Sequence, residues 1–183
     1  ALPICTTSTM QYAYQRNKSL TQAMLYFTLS VLKGFKNGEK TVAIFVDLEG
    51  AFDNLWRQGL LYLLHTAGLR ERLLIFIATY VSNRTVRNIV NNHTSEWVTT
   101  EIGVPQGSVI APLLFIFFIK EMTNNIPHHI SFADDLTTWL TSVSLQEIEQ
   151  QMTPILKNIF SWCFRWRMKA NTSKTDAMCF STD

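Results

Sequence analysis

Apolar residues recur along the chain with a spacing of three to four, which is typical of amphipathic helices. A first helix, capped by Asn17 or Ser19, is predicted to run to about Phe35 with an inner face of Leu20, Met24, Phe27, Val31 and Phe35. Further helices are predicted over Asn54–Ala67 with Gly68 as C-cap, over Arg70–Val81, and over Ser108 to about Met122. The last and longest buries Leu145, Ile148, Met152, Ile155, Ile159 and Cys163, and Pro154 predicts a kink or break within it.

Shorter β-branched and aromatic runs lie between these helices and predict strands. They are Thr41–Val46, Val86–Val90, Trp97–Ile102 and Thr175–Phe180. A further pair of strands flanks Asp134 and Asp135, and Asp is unfavourable inside a strand. Both acids are therefore expected to form a two-residue hairpin turn. The pattern as a whole predicts an α+β fold with an antiparallel sheet and helices packed on one of its faces.

Composition narrows the class of protein. The chain has 183 residues, of which 47% are hydrophobic and 16% charged, enough for one folded domain with a substantial core. The longest apolar run, Val109 to Ile119, contains Pro112 and is shorter than the roughly 18 residues of a membrane span. Cys5, Cys163 and Cys179 form no CxxC pair, which favours a reducing compartment. Because the chain begins with Ala1 and ends just after a predicted strand, both ends are interpreted as cut from a longer polypeptide.

The acidic residues are the candidate chemistry. Asp47 follows a predicted buried strand, and Asp134 and Asp135 form a second acidic position. Carboxylates at neighbouring strand ends are the arrangement a two-metal centre needs, because Mg²⁺ prefers oxygen ligands. On spacing alone, Asp47 could equally cap the following segment, and the Asp-Asp pair could be a solvated hairpin tip.

Three segments decide between these alternatives by resemblance. They are Asp47-Leu48-Glu49-Gly50-Ala51-Phe52-Asp53, residues 103–115 with Gly103-Val104-Pro105-Gln106-Gly107, and Phe132-Ala133-Asp134-Asp135. In order and spacing they resemble the signature blocks of reverse transcriptases. Residues 11–19 and 162–175 resemble the blocks that flank the palm in non-LTR (LINE-type) retrotransposon enzymes. The resemblance implies a partial reverse transcriptase domain, with residues 1–40 on the fingers side and 41–183 forming a palm with inserted helices; thumb and endonuclease would be absent.

The resemblance assigns roles to the acids and their neighbours. Asp47, the carbonyl of Leu48 and Asp134 would bind two Mg²⁺ ions, with Mn²⁺ as a substitute. Asp135 would be a supporting acid. Lys174 would stabilise the departing pyrophosphate or donate a proton to it, or else be a solvated lysine on a turn. Phe132, Ala13 and Ala111 depart from the commonest family pattern, but none of these changes removes a metal ligand.

The resemblance also implies a nucleotide site and a template contact. Gly50 and Ala51 would let backbone amides approach the triphosphate, and Phe52 would lie under the sugar and exclude a 2′-hydroxyl. Gln106 in its loop would contact nucleotide and template, and Gly107 would make room for it. Arg16 and Lys18 would contact template phosphates, or simply begin a solvated helix.

The expected function is therefore RNA-directed DNA polymerisation within a retrotransposon polyprotein. RNA template, DNA primer and deoxynucleoside triphosphates would be its partners, in the cytoplasm and nucleus and not in a membrane. The isolated piece is expected to be inactive. A degenerate or host-adopted copy that only binds nucleic acid is one alternative, and a group II intron or retron-type enzyme is another. A viral RNA polymerase fits less well, because such enzymes usually have Gly where Ala133 stands.

Overall fold

The computed structural model describes residues 8–182 of the chain. Within them the elements are, in chain order, α1 (Leu20–Lys36), β1 (Lys40–Val46), α2 (Arg57–Thr66), α3 (Glu71–Val81), β2 (Arg84–Val86), β3 (Ile89–Val90), β4 (His93–Thr94), β5 (Val98–Thr100), α4 (Ala111–Ile119), a 3-10 helix (Lys120–Thr123), β6 (His129–Phe132), β7 (Asp135–Ser142), α5 (Leu145–Arg165) and β8 (Asp176–Phe180). Residues 1–7, at the polar start of the chain, lie outside the described residues, and Cys5 is among them.

A four-stranded antiparallel sheet with the order β6-β7-β1-β8 forms the centre of the fold. Strand β1 lies between β7 and β8, with Val46 opposite Leu136 and Phe45 opposite Asp176. This register places the end of β1 beside the turn between β6 and β7 and beside the start of β8. The predicted α+β fold with an antiparallel sheet is confirmed.

The main core lies on one face of this sheet. Val46 and Leu136 contribute to it from the strands, and α2, α4 and α5 cover it. Its completely enclosed side chains include Leu60, Leu64, Phe115, Phe118 and Ile159. Further along the same face, Val42 and Ile44 pack against Leu140, Ile148 and Met152.

The opposite face is covered by α1, so the expectation of helices on a single face is wrong. Phe27 of α1 makes edge-to-face contacts with Phe45, Trp139 and Phe180, with ring centroids 6.2, 5.1 and 5.6 Å away. Successive residues of a strand point to opposite faces. Because β1 is apolar at both alternating sets of positions, each face needs a cover.

The predicted boundaries of α1 hold, but its buried face differs from the prediction. Ser19 caps the helix in a capping box with Gln22, and the helix ends at Lys36. The buried residues are Ala23, Val31 and Gly34, whereas Leu20 and Met24 are more than half exposed. Small residues let the helix backbone approach the sheet, and this contact sets the rotation of the helix more than the apolar spacing does.

Two other helices differ from the prediction. Helix α2 begins at Arg57 and not at Asn54, because Asn54 closes a turn in which its N–H donates to Gly50 O and its Nδ2 donates to Glu49 O. Pro154 predicts a kink or a break, and the structure shows no break, because α5 runs through Pro154 as one helix. Ile148 and Met152 before the proline pack in one core cluster, and Ile159 and Trp162 after it pack in the main core, so both halves are held on the same face of the sheet.

The segment between α3 and α4 forms shorter strands than predicted. Strand β2 pairs with β5, and β3 pairs with β4 around Asn91 and Asn92, whose φ angles are +49° and +64°. Two consecutive positive φ angles are typical of a tight type I′ hairpin turn. The helix predicted to extend to Met122 becomes 3-10 after Ile119.

Two expectations from composition can be compared with the described residues. Cys163 is buried, Cys179 is exposed, and both are free thiols. Among residues 8–182, no helix combines the length and apolar character needed to cross a membrane.

Gly34→Ala is expected to destabilise the protein by about 1–2 kcal/mol, even though Ala favours helix formation. A Cβ at Gly34 would lie 2.9 Å from both Thr141 Cγ2 and Thr41 Oγ1, and these threonine hydroxyls are themselves hydrogen-bonded at 2.9 Å. Urea unfolding measures the loss. The exposed Lys33→Ala is the control and should change stability little; equal stability of both variants would show that the helix can shift outward freely.

Candidate active site

Three carboxylates meet where β1 ends. The pairing of Val46 with Leu136 puts Asp47, the residue that follows β1, beside Asp135 at the start of β7. Asp134 precedes Asp135 in the turn. Residues that are 87 positions apart in sequence, Asp47 and Asp134, are therefore brought to one edge of the sheet.

The turn itself differs from the predicted one. Phe132 pairs with Asp135, so the two turn residues are Ala133 and Asp134, and Asp135 belongs to the strand. Ala133 has a φ of +57°, which is unfavourable for a residue with a Cβ. A positive φ at the first turn residue alone is the pattern of type II′ turns, which twist with the strands. The twist of the strands therefore determines which two residues form the turn, although this leaves Asp135 in a strand, where aspartate is unfavourable.

The carboxylates repel one another in a partly buried setting. Burial raises the pKa of Asp134, a hydrogen bond with its own backbone opposes this, and the charge of Asp47 raises it further. Burial also raises the pKa of Asp135, followed by the charges of Asp134 and Asp47. A divalent cation would relieve this repulsion.

The donor set fits Mg²⁺ held jointly with a substrate. Among the described residues, no group of three or more His, Cys, Asp or Glu side chains is arranged to hold an ion alone. Mg²⁺ is usually bound by one or two carboxylates, with substrate phosphates and water completing its octahedron. Asp47 and Asp134 would supply two carboxylates and leave positions for such ligands.

The Leu48 carbonyl is oriented consistently with a third oxygen ligand. Leu48 forms an antiparallel bridge with Ala170, in which Glu49 N–H donates to Lys169 O and Asn171 N–H donates to Asp47 O. In such a pair the flanking residues make the hydrogen bonds, so the N–H and C=O of Leu48 point away from Ala170. That direction is toward β7 and the acidic turn.

Asn171 and Lys174 both contact the Asp47 carboxylate. Asn171 Nδ2 donates to Asp47 Oδ2 at 3.0 Å, and Lys174 Nζ lies 4.0 Å from the same oxygen. The Lys174 side chain is 71% exposed, so its ammonium group is accessible from solvent. Asn171 lies in the segment 162–175 that resembles a family block, but no contact with Asp47 was predicted for it. Its spacing from Asp47 carried no signal, because the contact spans 124 residues.

Phe52, Gln106 and Gly107 lie together beside one cavity. They border a cavity of about 230 Å³, along with Tyr14, Ala111 and Pro112. The Phe52 ring stacks on Phe115 with centroids 4.4 Å apart, and Gln106 Nε2 donates to Asp53 Oδ1 at 3.0 Å. Gly50 is exposed, whereas the Ala51 side chain is buried in the core. A larger groove of about 490 Å³ borders Asp47, Asp135 and Lys174 between α1 and the sheet.

Arg16 and Lys18 have different surroundings. Arg16 is exposed. Lys18 Nζ donates to the carbonyls of Thr9 and Gln11, the latter at 2.9 Å, and lies 4.9 Å from the centre of the Tyr12 ring. Partial burial lowers the pKa of Lys18. Its ammonium group is thus occupied in holding the backbone of residues 9–12.

Arg57 is a buried residue that the sequence analysis did not single out. Its Nε donates to Gly103 O at 2.6 Å, and its Nη atoms donate to Thr100 O and Ile102 O at 2.5 and 2.6 Å. Burial and the nearby charge of Arg84 lower the pKa of Arg57. The guanidinium group thereby fixes the chain just before the Gln106 loop. An arginine beside Trp56 at a helix start gives no sequence signal for this role.

Sheet, flanking helices and clustered carboxylates together define a polymerase palm with part of the fingers. The same fold occurs in solved telomerases: one from Candida tropicalis, in complex with a TWJ fragment of telomeric RNA, has a TM-score of 0.64 and 11% identity and covers 92% of this chain and 30% of its own. A C. tropicalis telomerase truncated from the C-terminal domain has a TM-score of 0.62 and 12% identity, over 92% of this chain and 36% of its own.

Sequence comparison identifies the family. A family model described as reverse transcriptase (RNA-dependent DNA polymerase) matches residues 2–182. Among curated Drosophila melanogaster proteins, the probable RNA-directed DNA polymerase from transposon BS is 27% identical over 93% of this chain and 20% of its own length. The polymerase from mobile element jockey is 26% identical over 82% of this chain and 17% of its own.

The chain belongs to the reverse transcriptase family, and its relatives are polymerases of non-LTR retrotransposons. This confirms the resemblance drawn from the signature blocks. The chain spans about a fifth of the length of these curated relatives.

Asp134→Asn and Asp135→Asn are each expected to stabilise the metal-free protein at neutral pH. Each raised pKa means that the folded state holds more protons than the unfolded state between the ordinary value of 3.8 and the raised one. The free energy of unfolding of the unchanged chain therefore falls as the pH rises through that window. The Asn side chain of each variant does not ionise, so the variant does not lose this stability. Unfolding in urea with EDTA across a pH series measures the difference, which should shrink as the pH is lowered.

Glu149→Gln on the outer side of α5 is the matched control, since it removes an exposed carboxylate far from the sheet edge. It should leave stability nearly unchanged at each pH. Destabilisation by both Asn substitutions at pH 7 would show that the acids do not repel one another as argued.

Proposed function

We propose that this chain is the palm and part of the fingers of an RNA-directed DNA polymerase of a non-LTR retrotransposon. It would add deoxynucleotides to a primer 3′-hydroxyl along an RNA template. The observation that carries this proposal is the meeting of Asp47 and Asp134 at one sheet edge, with their charges close enough to raise the pKa of Asp134. Clustered like charges are unfavourable in a passive scaffold, whereas a cation-dependent enzyme requires them.

Asp47 and Asp134 would hold the divalent ions, with the Leu48 carbonyl as a further oxygen ligand and Asp135 as a supporting acid. Two Mg²⁺ ions, or Mn²⁺ in their place, would there favour ionisation of the primer hydroxyl and offset charge on the triphosphate. In the reaction the primer oxygen bonds to the α-phosphorus, the bond from that phosphorus to the pyrophosphate oxygen breaks, and the hydroxyl proton is lost to solvent. This chemistry needs positioning and charge stabilisation and no protein nucleophile.

The residues around Asp47 would keep its carboxylate in place for this reaction. Asn171 donates to Asp47 Oδ2 at 3.0 Å and thereby limits the rotation of the carboxylate. Lys174, at 4.0 Å from the same atom and largely exposed, could turn toward the departing pyrophosphate. It would stabilise the negative charge there or donate a proton.

Selection of the nucleotide would depend on the cavity beside Phe52. The stacking on Phe115 holds the Phe52 ring, so a sugar lying over it would have little room for a 2′-hydroxyl. Gln106 and Gly107 border the same cavity and would contact the nucleotide and the template base. Backbone amides at Gly50 and Ala51 would face the triphosphate.

RNA template and DNA primer would be held mainly through their phosphates, and such contacts carry no sequence information. Exposed Arg16 is available for a template phosphate. Lys18 would contribute only by changing its present hydrogen bonds with residues 9 and 11. Because the chain spans about a fifth of its relatives' length, we expect the isolated chain to extend primers poorly.

Asp134→Asn is expected to abolish primer extension, lowering the rate by about 1,000-fold or more, since it removes a metal ligand worth several kcal/mol in the transition state. The assay uses an RNA template, a DNA primer and Mg²⁺. The enzyme is the transposon BS polymerase in which this chain replaces the matching segment. Glu149→Gln in the same chimera should retain full activity, and extension that survives Asp134→Asn would refute the assigned role.

Phe52→Val is expected to raise incorporation of ribonucleotides relative to deoxynucleotides by about 10–100-fold, because relief of a local clash is worth about 1–3 kcal/mol. The measurement is the ratio of kcat/KM for a ribonucleotide and its deoxy counterpart in the same chimera. This ratio does not depend on the fraction of folded enzyme, so lost stacking on Phe115 does not disturb it. The exposed Phe76→Val is the control, and an unchanged ratio for Phe52→Val would exclude Phe52 as the selecting group.

A further inference from the structure

The buried side chain of Gln11 connects the start of the described chain to the acidic turn. Gln11 is only 2% exposed and forms a parallel bridge with Ser131 of β6. Tyr12 N–H donates to Ser131 O at 2.8 Å, and Ser131 N–H donates to Met10 O at 3.0 Å. Residues 10–12 thus pair with β6 through an isolated parallel bridge, next to the turn.

The Gln11 amide group binds both peptide groups of Ala133. Its Oε1 accepts from Ala133 N–H at 3.1 Å, and its Nε2 donates to Ala133 O at 3.3 Å. Oε1 also accepts from Ala13 N–H at 3.0 Å. Oε1 faces two N–H donors, and Nε2 faces a carbonyl oxygen. In a flipped amide, the NH₂ group would face the N–H groups and the oxygen would face the carbonyl, so only this orientation forms the hydrogen bonds.

The turn needs such a restraint for two reasons. Ala133 has a φ of +57°, a conformation that is unfavourable for a residue with a Cβ and persists only where the surroundings impose it. The next residue, Asp134, lies close to two other carboxylates, and their repulsion favours movement of the turn away from β1. A relaxed turn would increase the separation of Asp134 and Asp47.

Lys18 supports this arrangement from the other side. Its Nζ donates to Gln11 O at 2.9 Å and also to Thr9 O, so the backbone of Gln11 is held while its side chain binds the turn. The contacts connect Lys18 to Gln11, Gln11 to Ala133, and Ala133 to Asp134 along the chain. This network accounts for Lys18 without a template contact.

We propose that Gln11 is a positioning residue that sets Asp134 at metal-binding distance from Asp47 by holding both peptide groups of Ala133. The proposal rests on the proposed function for its catalytic consequence, but its structural content can be tested without catalysis. Gln11 does not touch the reacting atoms and acts only through the turn.

The first test uses NMR to measure amide hydrogen exchange in this chain in the absence of metal. Gln11→Met, of similar length but without the amide, should speed exchange of the Ala133 amide by about tenfold, the equivalent of one lost hydrogen bond. Amides in the pairing of β1 with β7, such as that of Leu140, should exchange as before. Gln15→Met, in the same segment, is the control, since Gln15 is only partly buried. Unchanged exchange at Ala133 would overturn the proposal.

The second test follows the position of Asp134 directly. In Gln11→Met the NMR amide shifts of Asp134 and Asp135 should move, because the turn relaxes away from Asp47. Affinity for Mn²⁺, measured by titration, should fall by about 10–100-fold, as for other residues that orient metal ligands. Faster exchange at Ala133 with unchanged amide shifts of Asp134 and Asp135 and an unchanged Mn²⁺ affinity would make Gln11 a merely structural residue and refute its positioning role.

Gln11→Glu is the second variant in case Gln11→Met does not fold. It keeps an oxygen for the N–H groups of Ala13 and Ala133 but loses the donor to Ala133 O, so its effect on exchange should be intermediate. An effect as large as that of the Met variant at unchanged global stability would contradict the two-sided restraint. If the unchanged chain itself binds no Mn²⁺, the metal centre of the proposed function fails, while exchange at Ala133 and the amide shifts of Asp134 and Asp135 still decide the role of Gln11.

Discussion

The pairing of β1 with β7 is the interaction on which the rest of the structure depends. Because Val46 lies opposite Leu136, Asp47 lies beside Asp135 and the acidic turn lies next to the end of β1. The same register sends Val46 and Leu136 into the main core. A slip of one residue would bury the acidic face and expose the apolar one, so core packing and the site are specified together.

Concentrating three carboxylates at this edge opposes folding, and the surrounding segments offset the repulsion through hydrogen bonds. Asn171 donates to Asp47 from beyond α5, and Gln11 binds Ala133 from before α1. Both restraints come from segments outside the blocks that carry the acids. The acidic edge is thus a product of the whole domain, because residues 11–19 and residues 162–175 each contribute a contact to it.

Local sequence predicted much of the fold, and its errors have physical causes. Capping at Ser19, the strand before Asp47 and the strand after Thr175 were visible because short-range preferences and packing agree there. The orientation of α1 was not visible from the sequence. The spacing of apolar residues favoured Leu20 and Met24 as buried residues, whereas Gly34 and Ala23 allow the helix to approach the sheet closely. The turn was misplaced by one residue because strand twist selected Ala133 and Asp134.

By itself, the sequence determined the family, the antiparallel α+β fold and the residues expected to carry the chemistry, because signature blocks and hydrophobic periods are local patterns. Only the tertiary structure decided which carboxylates lie side by side, that α1 covers the second face of the sheet, and that Asn171 and Arg57 support the site. The contacts of Arg57 and Asn171 join residues 43 to 124 positions apart. Nothing in a local pattern encodes such pairs, since they arise from the register of strands and the packing of helices upon them.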